Sequence, residues 1–292
     1  MAHRFGSAPL VARGPYLLLV ALALALPLHI AAAAATTEVA EFKKHVEAAN
    51  KLYGEKRFED SVKEIDAALA IVPKYSMGHT VRGYGLFYSM RADEALLAFD
   101  EAVRIDARNF RGWYGRGLTL NTLRRFPEAA ESLERACKLD PKRAKHWHLL
   151  GLARLYANQP ELALKAFEQL IALSPKRADA HTLKGVALFD LGRYDEALAS
   201  FDETLRMNPN ADDAWMSRGS CLLKMGRADE ALRSYDRALS SNPLQAEGLY
   251  NRAEALVVLG RRDEAKKSLQ KALAVRADYA DARKLLDSLG KR

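Results

Sequence analysis

His146 and His148 flank Trp147, and they are the first place in this 292-residue chain where metal or proton-transfer chemistry could begin. On a helix, residues two apart diverge by about 200°, so the two rings do not close on one ion, whereas ligands four apart would. The pair is therefore no chelate. His45, His79 and His181 are separated by multiples of 34 residues, and so are five basic residues, Arg82, Arg116, Lys184, Arg218 and Arg252. Chemistry built on such residues would have to be repeated along the chain. The sequence carries no nucleophile elbow, phosphate-binding glycine loop, paired-cysteine zinc site or dinucleotide fingerprint. No catalytic residue, cofactor or metal is assigned.

The interval is the informative feature. With a first unit starting at Phe42, seven units of 34 residues follow without insertion or deletion and end at Tyr279. Place 8 of each unit is small: Ala49, Gly83, Gly117, Gly151, Gly185, Gly219, Ala253. Place 20 is Ser61 and then alanine, from Ala95 to Ala265. Place 24 is bulky and apolar: Ile65, Phe99, Leu133, Phe167, Phe201, Tyr235, Leu269. Place 32 is proline in five units, from Pro73 to Pro243. A fixed period of this length means stacked supersecondary units, not one domain around one cleft.

Places 1 to 14 and 18 to 31 are expected to be helical. Acidic pairs such as Asp93-Glu94 and Asp195-Glu196 mark the second start, where they complement the free amides of a first turn. Gly192, Gly226 and Gly260 precede that start and suit a left-handed exit from the first helix. Small residues at places 8 and 20 let the two helices approach closely, and the residue at place 24 fills the space beside them. If places 8 and 24 are level, place 7 lies near place 25. Intra-repeat ion pairs are then expected in four of the five repeats that are basic at place 7, with Asp100, Glu134, Asp202 and Asp236 at place 25.

This pattern resembles the tetratricopeptide repeat, whose signature has Trp at place 4, Gly at 8, Ala at 20, an aromatic at 24, Ala at 27 and Pro at 32. Trp113, Trp147 and Trp215 stand at place 4, and Ala68, Ala102, Ala136, Ala238 and Ala272 at place 27. The resemblance covers 238 of 292 residues. It implies an all-α, right-handed solenoid of seven repeats (42–75, 76–109, 110–143, 144–177, 178–211, 212–245 and 246–279), with first helices lining a concave groove. Residues 280–292 read as a polar-backed capping helix and tail. His45, His79 and His181 fall at place 4, so they read as smaller rings in an aromatic packing slot. Cys137 and Cys221 lie three repeats apart, beyond the ~7 Å reach of a bridge, and are expected as buried thiols.

The first 35 residues are of another kind. Arg4 and Arg13 precede an apolar run from Tyr16 to Ile30 and the stretch Ala31 to Ala35, with no acid before Glu38. That order is a secretory signal peptide, with cleavage expected after Ala35 and 36–41 as a short lead-in. The mature chain is then exported, with a bacterial periplasm as first choice. The alternative is an inner-membrane anchor facing the periplasm, although a span needs roughly 20 apolar residues. Loss of the signal lowers the net charge from +8 to +6. No nucleic-acid motif accompanies that charge.

By resemblance, places 2, 5, 9, 12 and 13 of the first helices face the groove. Tyr84, Phe87, Tyr88, Arg111, Tyr114, Lys145, His148, Tyr156 and Phe189 are the candidate partner-binding residues there. Open apolar surface marks partner sites, and Tyr and Arg are favoured anchors. Place 2 runs Lys43, Met77, Arg111, Lys145, Asp179, Asp213, Glu247, basic early and acidic late. The lysine and asparagine clamp by which related co-chaperones grip an acidic tail is absent, since place 5 is never lysine. The expected function is a non-catalytic envelope scaffold that binds a protein or peptide segment in the groove. The alternatives are a periplasmic chaperone or carrier for apolar cargo, or an accessory subunit of a polysaccharide or secretion assembly.

Intact-mass analysis of exported protein is expected to show a start at or near Thr36. A species that begins at Met1 and resists carbonate extraction would establish the anchor instead.

Overall fold

The computed structural model describes residues 35–290, with side chains from residue 37 onward. Fifteen helices and no strand occur among them. The expected signal segment lies outside the described residues except for Ala35, which opens the first helix. Among the described residues no helix is long and apolar enough to cross a membrane. The first helices of the repeats are α1 (Ala35–Gly54), α3 (Ser76–Tyr88), α5 (Phe110–Thr122), α7 (Ala144–Tyr156), α9 (Ala178–Asp190), α11 (Asp212–Lys224) and α13 (Ala246–Val258). The second helices are α2 (Phe58–Ile71), α4 (Ala92–Ile105), α6 (Phe126–Leu139), α8 (Pro160–Leu173), α10 (Tyr194–Met207), α12 (Ala228–Ser241) and α14 (Arg262–Val275), and α15 (Ala280–Gly290) follows. The architecture is a helical solenoid. Boundaries differ from expectation by one residue, since first helices end at place 13 and second helices span 17 to 30. The lead-in 36–41 is helical and continuous with α1.

Place 15 explains that early stop. It has positive φ in every repeat: Lys56, Met90, Arg124 and Asn158 near +60°, Gly192, Gly226 and Gly260 above +70°. The left-handed residue lets the next amide reach back five residues, as Arg193 N–H does to the Leu188 carbonyl at 2.9 Å. Sequence revealed only the three glycines, because Lys, Met and Arg give no signal for this conformation.

The chain divides into two compact units, one ending at Leu123 and the other starting at Arg124. Inside each unit, the two helices of each whole repeat pack on one another, and each second helix packs on the first helix that follows it. The ring at place 24 sits in the gap left by the glycine at place 8. A Cβ added at Gly83 would stand 2.7 Å from Phe99, and one at Gly185 or Gly219 would stand 2.5 Å from Phe201 or Tyr235. Phe99 also presses on Gly115 of the next repeat. These rings are at most 1% exposed.

The ion pairs follow a different register from the expected one. Arg82 meets Asp66, Arg116 meets Asp100, Arg218 meets Asp202 and Arg252 meets Asp236, all at 2.6–2.7 Å, with Lys184 3.9 Å from Glu168. Each pair joins place 7 of one repeat to place 25 of the repeat before it. Place 7 is rotated about 100° from place 8, away from its own second helix and toward the preceding one. The expected intra-repeat pairing is therefore corrected to a ladder between repeats. Repeat four has Leu150 at place 7, and Glu134 is paired instead by Arg154 at 2.6 Å and Lys138 at 2.7 Å.

Gly185→Leu is expected to force α9 from α10 by overpacking, costing roughly 1–3 kcal/mol or more. Hydrogen exchange should then rise in repeats four to six ahead of α14 and α15, because each repeat contacts only its neighbours. A uniform rise from Arg124 onward would contradict this.

Candidate functional site

Within each unit, neighbouring first helices touch one another: α1 with α3, α3 with α5, α9 with α11 and α11 with α13. No two neighbouring second helices are in comparable contact among the described residues. First helices are thus the more closely spaced row, so their side of each unit is the inner one. The candidate residues sit on that row or at its ends.

In the unit ending at Leu123, the structure gathers Tyr84, Phe87, Tyr88, Arg111 and Tyr114 around two further rings. Tyr84 is half-buried, edge-on to Phe99 at 5.0 Å, and its hydroxyl donates to the Arg111 carbonyl at 3.1 Å. Tyr88 stays 44% exposed although it stacks on Phe58 at 5.0 Å, with Tyr53 and Phe87 edge-on at 6.0 and 5.4 Å. Burial pushes the Tyr114 phenol up to about 12, and nearby Tyr88 adds to it. Burial likewise drives Tyr84 well above its usual range, with Tyr114, Tyr53 and Tyr88 contributing and Arg111 opposing. Four phenols therefore converge. The Arg111 guanidinium lies 4.9 Å over the Phe110 ring.

Tyr53 and Phe58 escaped the sequence reading. Tyr53 stands at place 12 of the first repeat, so the groove rule extended by one repeat would have found it. Phe58 stands at place 17 of a second helix. The signal there has a period of two repeats, since place 17 is aromatic in Phe58, Phe126 and Tyr194 but Ala92, Pro160 and Ala228 between them.

In the unit from Arg124 onward the candidates are spread out. Tyr156 is 43% exposed and stacks on Phe126 at 4.9 Å, which repeats the Phe58–Tyr88 arrangement. Phe189 is edge-on to Tyr194 at 5.4 Å. His148 is half-buried beside Arg177 and Asp179, and burial pushes its imidazole down to about 4. Lys145 is exposed on the first turn of α7. Further along the same row, the Tyr250 hydroxyl donates to Glu254 Oε1 at 3.0 Å, and Tyr250 lies 5.2 Å from the Tyr279 ring.

The place-4 rings have a structural task. Trp113, Trp147 and Trp215 donate from Nε1 to the place-32 carbonyls of Ala107, Pro141 and Pro209 at 2.7–2.9 Å. His79 Nε2 reaches the Pro73 carbonyl at 2.8 Å in the same way, while His45 instead meets Glu64 at 2.7 Å. Cys137 and Cys221 are buried free thiols, pushed up by burial to about 12 and about 11. Neither is poised as a thiolate nucleophile.

Two family models, both for the tetratricopeptide repeat, match this chain. One covers residues 80–144, 148–212 and 187–246, the other 222–289. No curated protein matches it significantly. Solved structures share the fold. A tetratricopeptide repeat protein from Parabacteroides merdae has a TM-score of 0.61 at 15% identity, over 86% of this chain and all of that one. Pseudomonas aeruginosa PilF has 0.59 at 19% identity, over 75% of this chain and 99% of its own. YrrB, described as having an unusual peptide-binding site, has 0.58 at 22% identity, over 63% of this chain and 95% of its own.

Two histidines on α7, His146 and His148, give a pH dependence. His146 is 1% exposed, and burial pushes it down to about 4, as it does His148. The unfolded chain binds these protons first, so stability is full above pH ~6.5 and falls as pH drops toward 4. Acidification from pH 7 to 5 is expected to cost about 1–2 kcal/mol per ring. Denaturant unfolding should show a flatter pH profile for His148→Gln than for the parent chain. Identical profiles would refute the assignment.

Proposed function

Because the chain belongs to the tetratricopeptide repeat family by its matched repeats, we propose that it is a non-catalytic scaffold holding an extended segment of a partner protein. Proteins of this family bind protein or peptide partners. The segment lies against the inner, first-helix side. One observation carries the reading: Tyr53, Tyr84, Tyr88 and Tyr114 converge on that side, with Tyr88 44% exposed and Arg111 beside them. Rings already packed on one another lose little freedom when a ligand arrives, which makes tyrosine an efficient anchor. Arg111 adds positive charge there and favours a segment with an acidic residue beside it. The N-terminal basic, apolar and small-residue order supports a site of action in the cell envelope, so the partner is sought among envelope proteins.

The experiment is capture of a partner from envelope extract with the mature chain, followed by affinity measurement on folded variants. Tyr88→Ala and Tyr114→Ala are each expected to weaken binding by about 1 kcal/mol or more, roughly fivefold. Arg111→Glu and Lys145→Glu should chiefly slow association at low salt. Glu131→Ala and Lys165→Ala, on the second helices, should change little. Intact affinity in the first set with loss in the second would move the site to the second-helix side. Many weak clients at no fixed stoichiometry would favour a chaperone instead.

A further inference from the structure

From Arg124 onward, place 2 of the last four helices of the first-helix row is acidic throughout. These residues are Asp179 on α9, Asp213 on α11, Glu247 on α13 and Asp281 on α15. The chain itself shows how that position is neutralised. Arg177, in the turn before α9, lays its guanidinium on Asp179, with Nη2 and Nε at 2.7 and 2.8 Å. The residues at the same turn position before the other three acids are Ala211, Gln245 and Tyr279, none of which carries a cation. Asp213, Glu247 and Asp281 are exposed and make no ion pair among the described residues.

Their charge is felt by the groups beside them. Glu254 on α13 has its carboxyl raised, first by burial and also by Asp281, with Lys224 as an opposing cation. The Tyr279 phenol is raised by burial and then by Glu247, with Asp281 and Glu254 adding to it. The Tyr279 ring already carries one internal cation, the Arg276 guanidinium 3.7 Å from its centroid. Apolar surface between the acids comes from the half-buried Tyr250 ring on α13, whereas Met216 on α11 is buried in the core. The carboxylates are set one per helix, so they are met by a row of separate cations and not by one chelated ion.

Resting on the reading of the first-helix side as the binding face, we propose that from α9 to α15 this face takes a partner segment bearing arginine or lysine side chains. Successive cations meet Asp213, Glu247 and Asp281 as Arg177 meets Asp179, and apolar side chains between them pack on Tyr250. A bidentate guanidinium fits each carboxylate better than an ammonium does, which favours arginine. Polyanions and acidic segments are repelled from this stretch.

The probe is a labelled peptide of about twelve residues repeating Leu-Arg-Ala, with a Leu-Glu-Ala peptide as counterpart, each titrated into the full chain by anisotropy. The arginine peptide should bind at least roughly tenfold more tightly. The combined variant Asp213→Asn, Glu247→Gln, Asp281→Asn should lose roughly tenfold, and so should the parent between about 50 and about 300 mM salt, because exposed charges are screened. These exposed substitutions leave the fold intact, which circular dichroism checks. Equal binding of the glutamate peptide, no binding of either, or an unchanged affinity of the combined variant overturns the proposal. If affinity survives that variant but falls with Tyr250→Ala, the face is right and its charge preference wrong. If exchange protection by the arginine peptide maps to α10, α12 and α14, the binding-face reading itself fails.

Discussion

The contact that the rest of the structure depends on is the seating of a bulky side chain at place 24 against a missing side chain at place 8. Gly185 and Phe201 show the tolerance: a single added carbon would intrude to 2.5 Å of the ring. Two helices held that closely bury an apolar ring almost fully, and burial of that kind contributes about 1.5–3 kcal/mol for each large side chain. No repeat closes a core alone, because the slot has open sides above and below. The next repeat covers them, as Gly115 covers Phe99. Cohesion within a repeat and cohesion between repeats are thus the same interaction seen from two sides.

Polar contacts then fix how one repeat sits on the next. A ring nitrogen at place 4 takes the carbonyl freed where place 32 ends the preceding helix, so a chain-terminating backbone group is satisfied by the neighbour. The place-7 and place-25 ladder adds a second tie at the surface, worth only about 0–1 kcal/mol per rung. Arginine at place 16 acts mainly within its own repeat. Arg57, Arg91, Arg125, Arg193, Arg227 and Arg261 each clasp an acid three residues on, at 2.6–2.9 Å, and Arg91 also reaches Glu59 of the repeat before. Repeat four lacks both arginines, with Leu150 and Gln159 in their places. There Arg154 serves both Gln159 and Glu134, the latter together with Lys138.

The fold was legible in the sequence because sterics repeat with the period: Gly151 and Phe167 could be paired on spacing alone. The direction of the ion pairs was not legible, since levelling places 8 and 24 says which residues share a height but not which side of the helix each leaves from. The turn at place 15 was read at Gly192 and missed at Met90, because local sequence tolerates a conformation that the surrounding packing imposes. The candidate face was legible where aromatic residues recur on first helices, as at Tyr84 and Tyr114. It was incomplete where a ring arrives from a second helix with doubled period, as Phe58 does. Arg177 masking Asp179 was out of reach as well, because the two are neighbours in sequence and only the backbone turn decides that they face each other.

Helix α15 carries the stack's first-helix features up to a point. Ala282 is buried at place 3, and Arg283 at place 4 donates to the Ala277 carbonyl at 2.6 Å, as Trp113, Trp147 and Trp215 do to the place-32 carbonyls before them. At place 8, where every repeat has glycine or alanine, it has Asp287, exposed to water. A second helix closing on α15 in the manner of the others would press its place-24 ring onto that carboxylate, and burying an unpaired charge costs several kcal/mol. Asp287 therefore guards the open end of the stack, keeping apolar surface of other molecules from settling on α15 as one repeat settles on the next.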